Sequence, residues 1–181
     1  MNYSRNLQLA FTAIAILWLV FFLNLVLPID LRIFGILPRH TDGLPGILAA
    51  PFLHGNIQHL TANTGALFIL LTVSLTYSRA QTLKAVLVVI FLGGAMVWLV
   101  GKQGTVHIGA SGVIFGLIGY LMFLGLFRRN WKAAIISIVI SLLYGGALYS
   151  LLIYVPGISW SGHLFGFLSG VMAAWWGRSK N

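Results

Sequence analysis

The sequence contains no cysteine and no glutamate, and its only acidic residues are Asp30 and Asp42. Without cysteine there is no thiol nucleophile, no thiolate metal site and no disulfide. Without glutamate, and with only two aspartates, the chain has no HExxH metalloprotease motif, no glycosidase-type carboxylate pair and no relay of buried carboxylates. These enzyme and pump mechanisms are excluded before any motif is considered.

Charge of either sign is scarce. Charged residues make up 7% of the 181 residues, against roughly 25% in a typical soluble domain, whereas hydrophobic residues make up 59%. So few charges could not keep that much apolar surface in solution, and the composition predicts a protein of the lipid bilayer. The net charge of +9 does not indicate nucleic-acid binding, because the cations lie between apolar runs instead of forming one patch.

Long apolar runs fill most of the chain. A transmembrane helix needs about 20 apolar residues, and six segments reach or approach that length: 9–27, 57–77, 85–100, 111–127, 133–154 and 162–176. No internal repeat and no low-complexity tract divides the sequence. We therefore expect one domain, residues 1–181, folded as an all-α membrane protein with six transmembrane helices.

The positions of the cations predict how these helices cross the membrane. With six spans, both termini and the loops after spans two and four face one side. Eight of the eleven cations lie there: Arg5, Arg79, Lys84, Arg128, Arg129, Lys132, Arg178 and Lys180. The positive-inside rule then places both termini in the cytoplasm, so spans two, four and six run inward. The short tails suit a bacterial plasma membrane.

The outer loop between the first two spans, residues 28–56, is long and apolar. It contains four prolines, yet residues 31–37 and 44–53 are largely hydrophobic. Such a segment is expected either to lie partly embedded in the outer membrane interface or to serve as a simple connector.

Three polar residues lie at similar depth on the three inward-running spans. Asn63, Ser111 and His163 precede the first cation at the inner end of their spans by 16, 17 and 15 residues. These separations correspond to about 22–26 Å of helix, within a hydrocarbon core about 30 Å thick. Polar groups at this depth usually face the bundle interior or a wet cavity. A serine level with a neutral histidine suggests a nucleophile and its general base.

Ser111 lies in the sequence Gly109-Ala110-Ser111-Gly112, at the start of the fourth span. Free backbone N–H groups and the positive end of the helix dipole at that point could stabilise an oxyanion beside the serine. The alternative is that Ser111 merely caps the helix, since short motifs often match by chance.

The sixth span carries His163 beside a ridge of small residues at every fourth position: Gly162, Gly166, Gly170 and Ala174. Such a ridge permits close approach of another helix, and the fourth span offers Gly112 and Gly116 as a matching surface. His163 points toward this seam, where it could reach Ser111. The alternative is an ordinary packing seam with a structural histidine.

His59 and Asn63 share one face of the second span, because they are four residues apart. Both can donate hydrogen bonds, so beside Ser111 they would complete an oxyanion hole. Two alternatives stay open, a structural hydrogen-bond network and a metal site formed by His54, His59 and His163 without carboxylate or thiolate ligands. We expect no metal and no other cofactor.

Together these motifs resemble the rhomboid family of intramembrane serine proteases. The matching residues are His54, His59 and Asn63, the sequence Gly109-Ala110-Ser111-Gly112, and His163, Gly166 and Gly170. The resemblance implies a six-helix rhomboid-like bundle and a Ser111–His163 catalytic dyad. It also implies an oxyanion site made by Asn63, His59 and the Ser111 N–H. The implied supporting residues are Gly109, Gly112, Phe115, Gly166 and Gly170, with the Phe115 ring against the histidine.

The chain departs from the family in two places. Many bacterial members have a Trp-Arg pair in the first outer loop, where this sequence has residues 35–39 without one. Well-known members have a tyrosine at the position of Phe115. Both changes leave the nucleophile, the base and the oxyanion donors untouched. The absence of any acid in spans two to six agrees with a dyad of two catalytic residues.

The resemblance implies transmembrane protein substrates that enter from the lipid. We expect a water-filled cavity open to the outer face, with residues 102–107 and 159–161 at its rim. Trp160 and the end of span five are expected to form a lid or lateral gate. Two other functions stay open, a catalytically silent rhomboid-like protein that binds transmembrane helices and a small transporter or channel.

Overall fold

The computed structural model describes residues 3–153 and 159–178, and the regular structure in these ranges is helical apart from one bridge between Ile36 and His107. The helices α1 to α6 have the bounds Tyr3–Val26, Ile57–Val88, Gly94–Val100, Ser111–Arg128, Trp131–Tyr144 and Trp160–Trp176. A π-helical turn, Val89–Gly93, joins α2 to α3, and a 3₁₀-helical segment, Gly145–Leu151, extends α5. The predicted all-α class is confirmed. The predicted end of span five at residue 154, and Lys180, lie outside the described residues.

Helix α2 bends sharply at Ser78, whose backbone is extended (φ −161°, ψ 106°) inside an otherwise helical run. The hydroxyls of Ser74 and Thr82 are 2.7 Å apart across this bend, whereas residues eight apart on a straight helix are separated by about 12 Å. The bend therefore divides the helical run Ile57–Val100 into two arms. These arms correspond to the predicted second and third spans, but the expected loop between them is helical except at Ser78.

Four helical runs within the described residues are long and apolar enough to cross a bilayer: Tyr3–Val26, Ile57–Val100, Ser111–Arg128 and Trp131–Leu151. The second run has 44 residues, or about 66 Å of helix, which is roughly twice the thickness of the hydrocarbon core. Helix α6 has 17 residues, the lower limit for a span. The chain is an integral membrane protein, and the number of six crossings stays a prediction.

One end of the bundle gathers the bend in α2 and the last turns of α4 and α6. A Cβ on Gly177, just after α6, would lie 2.8 Å from the Arg128 guanidinium and 2.8 Å from the Gln81 side-chain oxygen. Arg128 ends α4, and Gln81 follows the bend in α2. The three helices that carry Asn63, Ser111 and His163 therefore run in the same direction. Which side of the membrane this end faces stays a prediction.

Helices α4 and α6 pack backbone to backbone. A Cβ on Gly166 would overlap the carbonyl oxygen of Gly112, and a Cβ on Gly170 would overlap that of Gly116. Only glycine fits at Gly166 and Gly170, because any side chain would push the two helices apart. The predicted close packing of the fourth and sixth spans is confirmed, and it fixes the position of the helix that carries His163 relative to the one that begins at Ser111.

The outer loop is folded and not an extended connector. It contains one helical turn and three 3₁₀-helical turns: Gly46–Ala49, Leu31–Phe34, Thr41–Gly43 and Ala50–Phe52. The loop is tied to α3, because the Arg39 N–H donates to the Trp98 carbonyl (2.9 Å) and the Trp98 indole N–H donates to the His40 carbonyl (2.8 Å). Apolar side chains such as Ile33 and Leu48 stay exposed. Partial embedding of this loop in the membrane interface stays a prediction.

Candidate active site

The predicted catalytic and oxyanion residues line one cavity at the end of the bundle opposite the α2 bend. Ser111 begins α4, His163 lies in the first turn of α6, and His59 and Asn63 lie in the first two turns of α2. These four residues and Phe115 line a cavity of about 1080 Å³. A volume of this size holds water together with part of a peptide. The loops predicted as its rim contribute Lys102, Thr105, Val106, His107, Ser159, Trp160 and Ser161 to the lining.

Ser111 is the first residue of α4, and the cap position before it is occupied by Ala110. Its hydroxyl forms no hydrogen bond with any residue that the structure describes. The alternative in which Ser111 caps the helix is therefore wrong. The backbone N–H of Ser111 belongs to the first helical turn, where α4 itself provides no acceptor. Both groups are thus available to a ligand in the cavity.

His163 is 8% exposed and lies against Phe115. The two rings stack with centroids 4.0 Å apart and an interplanar angle of 13°. This contact fixes the plane of the imidazole ring, and it requires an aromatic ring but no hydroxyl on the partner. Between Ser111 and His163 the described residues show no direct hydrogen bond. The dyad contact itself therefore stays a prediction.

Ser150, which the sequence did not single out, contacts the base. Its Oγ lies 3.4 Å from Nδ1 of His163, and its hydroxyl donates to the Ala147 carbonyl at 2.7 Å. Because the hydroxyl proton is already donated to Ala147, the Ser150 oxygen can only accept a hydrogen bond from Nδ1–H of His163. This arrangement leaves Nε2 of His163 unprotonated, as a general base requires. No sequence motif marks Ser150, because the contact depends on where the 3₁₀-helical segment folds.

The side-chain amide of Asn63 is buried without a partner. Asn63 is 6% exposed, and its Nδ2 has no hydrogen bond within the described part of the chain. Such an unpaired buried donor costs about 1–3 kcal/mol, which a hydrogen bond to water or to a ligand in the cavity would recover. A Cβ on Gly109 would lie 3.7 Å from this nitrogen. The free donor is therefore next to the segment that leads into Ser111.

Gly109 lies between His59 and the start of α4, at a position where only glycine fits. Its φ of +111° lies in the left-handed region that glycine alone adopts readily. A Cβ there would also lie 2.6 Å from Cε1 and 2.7 Å from Nε2 of the His59 ring. The His59 ring consequently contacts the backbone two residues before the nucleophile. Gly112, by contrast, faces the Gly162 carbonyl across the α4–α6 seam.

His54 anchors the same segment. Its Nε2 accepts a hydrogen bond from the Ala110 N–H (3.4 Å), and its Nδ1 lies 3.3 Å from the Phe52 carbonyl oxygen. Burial, and to a smaller degree the nearby His59, lowers the pKa of His54 to about 4. A neutral ring is what the accepting Nε2 requires. His54 thus orients the backbone beside Ser111.

The positions of the acidic residues and histidines bear on two alternatives, a catalytic acid beside His163 and a metal site. Asp30 pairs with Arg32 at 2.7 Å, and Asp42 lies beside His40 in the outer loop. The Arg32 side chain lowers the pKa of Asp30 to about 2. Neither acid contacts His163. In the ranges 3–153 and 159–178, no three histidine or acidic side chains come together in a metal-binding group.

Comparison with known proteins identifies relatives along most of the chain. The family model of the rhomboid domain matches residues 42–180. An uncharacterized protein of Mycobacterium bovis is 39% identical over 172 residues, which cover 91% of this chain and 72% of the relative. An uncharacterized protein of Mycobacterium leprae is 39% identical over 173 residues, covering 91% of this chain and 68% of the relative. A Bacillus subtilis protein named as a candidate rhomboid protease is 30% identical over 126 residues, or 66% of this chain and 60% of that protein. No solved structure matches the chain significantly.

Proposed function

Because the chain belongs to the rhomboid family, we propose that it is a serine endopeptidase that cleaves transmembrane or membrane-adjacent segments of membrane proteins. The observation that carries the proposal is that Ser111, His163 and the unpaired amide of Asn63 line one cavity. Family membership alone would not suffice, because one fold often serves several functions. The site supplies a nucleophile, a base and an oxyanion donor, which are the groups that hydrolysis of a peptide bond requires.

In the first half of the reaction, a substrate helix enters from the lipid and unwinds locally, which exposes a peptide bond. The hydroxyl oxygen of Ser111 attacks the carbonyl carbon, and Nε2 of His163 accepts the hydroxyl proton. The carbonyl oxygen becomes negatively charged in the tetrahedral intermediate. The Asn63 amide, His59 and the Ser111 N–H donate hydrogen bonds to this oxyanion.

In the second half, the tetrahedral intermediate collapses and the C–N bond breaks. His163 gives its proton to the leaving amine, so that the first product departs as a neutral amine and an acyl-enzyme on Ser111 is left. Water from the cavity attacks the acyl carbon while His163 again accepts a proton. The bond to Ser111 then breaks, the serine recovers its proton from His163, and the second product leaves with a new carboxyl group.

The proposal includes a location and an orientation. Mycobacterial relatives support a bacterial origin, and we place the protein in the plasma membrane with both termini in the cytoplasm. The cavity then opens to the outer face, because its rim lies at the end opposite the α2 bend. The partners in this reading are transmembrane protein substrates and membrane lipid, and the chain uses no cofactor.

The test combines cleavage with active-site labelling. The purified protein is reconstituted in proteoliposomes with a single-span fluorescent model substrate, and separately treated with a serine-directed fluorophosphonate. We expect cleavage and labelling of the native chain, and loss of both by at least about 10⁴-fold in the Ser111→Ala variant. The Ser141→Ala variant, which changes an exposed serine on α5, serves as the matched control and keeps both activities.

A catalytically silent binder of transmembrane helices is the second candidate. The missing hydrogen bond between Ser111 and His163 in the described residues favours it. In that case the native chain captures single-span proteins in co-purification but neither cleaves them nor reacts with the fluorophosphonate. Capture by the native chain and by Ser111→Ala would then be equal. Cleavage that persists in Ser111→Ala would instead remove this serine from the mechanism.

A further inference from the structure

His107 lies four residues before Ser111 and forms contacts that the proposed reaction does not use. Its backbone pairs with the outer loop, because its N–H donates to the Ile36 carbonyl (2.9 Å) and its carbonyl accepts from the Ile36 N–H (3.0 Å). Two residues later, the Gly109 N–H donates to the Ala50 carbonyl (2.8 Å). The backbone that leads into the nucleophile is therefore held firmly on the side of the outer loop.

The side chain of His107 reaches in the other direction. The Thr105 hydroxyl donates to the Lys102 carbonyl at 2.6 Å, so its oxygen can only accept from Nε2–H of His107 at 3.1 Å. The imidazole is then protonated at Nε2, and its Nδ1 is an acceptor. The Ser159 hydroxyl lies 2.7 Å from that Nδ1 and is its donor. This is a short hydrogen bond between the loop before α4 and the residue before α6.

Ser159 connects His107 to the first turn of α6, the helix that carries His163. Its Oγ accepts a hydrogen bond from the Gly162 N–H (3.1 Å), and its carbonyl accepts from the His163 N–H (3.0 Å). Ser159 is therefore the N-cap of α6. A Cβ on Gly162 would lie 2.6 Å from the Ser159 Oγ, so a side chain at Gly162 would displace the cap.

We propose that His107 is a positioning residue that sets the distance between the Ser111 hydroxyl and the His163 ring, by tying the start of α6 to the segment before Ser111. The proposal rests on the proposed function, since it concerns the same reaction. No direct bond joins Ser111 and His163 in the described residues, so their separation depends on the elements that carry them. A displacement of about 1 Å in such a pair costs roughly 100-fold in rate.

Two further observations agree with this role. Burial lowers the pKa of His107, which favours the neutral ring that an accepting Nδ1 requires. His107 also lines the cavity, as do Ser111 and Ser159. The seam of Gly166 and Gly170 fixes the middle of α6, whereas the His107–Ser159 bond fixes its first turn. Positioning of the base thus has two parts along the helix.

The test compares three substitutions at His107. Asparagine places an acceptor oxygen where Nδ1 was and can keep the bond to Ser159, whereas glutamine places its amide near Nε2 and loses that bond. We expect His107→Ala and His107→Gln to lower kcat for the model substrate by about 10- to 100-fold, with KM changed less than about twofold. His107→Asn should stay within about threefold of the native kcat. His40→Asn, at an outer-loop histidine beside Asp42, is the matched control.

A double-mutant cycle tests whether His107 acts through Ser159. Ser159→Ala also removes the helix cap, so on its own it is expected to be at least as harmful as His107→Ala. The double variant should then be no slower than Ser159→Ala alone, because the same contact is lost twice. The proposal would be overturned if the rate losses of His107→Ala and Ser159→Ala multiplied in the double variant. Equal rates for His107→Asn and His107→Ala would also overturn it. Thermal unfolding in detergent checks that the compared variants are equally folded.

A second measurement does not depend on activity. In protein labelled with ¹⁵N-histidine, the His107 signals, assigned by their loss in His107→Asn, should show a neutral ring protonated at Nε2. The Nδ1 signal should shift in Ser159→Ala. A ring protonated at Nδ1 would overturn the proposal. If the native chain neither cleaves nor is labelled by fluorophosphonate, the proposed function fails and the positioning role fails with it, while the nitrogen signals still decide whether the bond exists.

Discussion

The two helices on either side of the cavity differ greatly in how they are held. In the most apolar 18-residue stretch of α4, 56% of the residues are buried, whereas the corresponding share in Trp131–Leu151 is 6%. Helix α4 is locked to α6 through glycine contacts along its length. Helix α5 is bound to α4 by Ser137, whose hydroxyl donates to the Leu121 carbonyl (2.8 Å) and accepts from the Gly125 N–H (2.7 Å).

The difference separates two tasks. The candidate nucleophile and base lie on the tightly packed pair, where small displacements are costly. The side wall of the cavity, to which Tyr144 and Ala147 contribute, belongs to the weakly held α5 and its 3₁₀-helical extension. Segments with few buried contacts open at low free-energy cost. The predicted gate fits this side, since the Trp160 indole donates to the Leu151 carbonyl (2.7 Å), but its opening stays a prediction.

The largest expected effect comes from disrupting the close packing between α4 and α6. Gly170→Ala places a methyl group onto the Gly116 carbonyl, so α6 must move away from α4. We expect a loss of about 3 kcal/mol or more in stability and no detectable cleavage. Thermal unfolding in detergent, followed by circular dichroism, measures the first and the proteoliposome assay the second.

The matched control is the same substitution on the weakly held side. Gly146→Ala, in the 3₁₀-helical segment, meets no atom within 4 Å. Its unfolding temperature and cleavage rate should be close to those of the native chain. Equal destabilisation by the two variants would show that the seam is no more demanding than the side wall, and the comparison would fail.

Asn63→Ala is expected to have the next largest effect. It removes the unpaired buried donor and should lower kcat by about 10- to 1,000-fold, as for single oxyanion donors in other hydrolases. Stability should not fall, because the native amide has no partner to lose in the described residues. Cleavage rates in the proteoliposome assay and unfolding temperatures, measured on the same preparation, check both parts. An unchanged rate would exclude Asn63 from the oxyanion site.

Much of this arrangement could be predicted from the sequence. The length of the membrane helices, the charges that flank them and the spacing of their small residues can all be read from it directly. The similar membrane depth of Asn63, Ser111 and His163 is predicted from the helix rise and from the first cation at the inner end of each span. The bend at Ser78 could not be foreseen, since it places one extended residue inside a helical pattern. The contacts of Ser150 and of His107 were also missed, because loops and 3₁₀ segments bring them together without any periodic signal.

The pH dependence of stability tests the anchor next to the tight side. The pKa of His54 is about 4 in the folded chain, below its ordinary value of 6.5. The folded chain therefore binds fewer protons than the unfolded chain between these values. The contribution of neutral His54 to stability is complete above pH 6.5 and is lost as the pH falls toward 4.

Unfolding temperatures measured from pH 7.5 down to 4.5 should consequently fall less steeply in His54→Gln than in the native chain. Gly146→Ala, which changes no titratable group and meets no atom within 4 Å, should keep the native slope. Parallel curves for the native chain and His54→Gln would mean that burial does not hold His54 neutral.

The smallest effect is expected on the weakly held side. Ser150 is the one described contact from the 3₁₀-helical segment to the base, and at 3.4 Å it is a long hydrogen bond. Ser150→Ala should lower kcat only about two- to fivefold, which corresponds to roughly 0.4–1 kcal/mol of barrier. Ser150→Thr, which keeps the hydroxyl, should recover the rate. A loss near that of Asn63→Ala would mean that this segment helps to orient His163 during the reaction, and the division between a rigid catalytic side and a mobile wall would have to be abandoned.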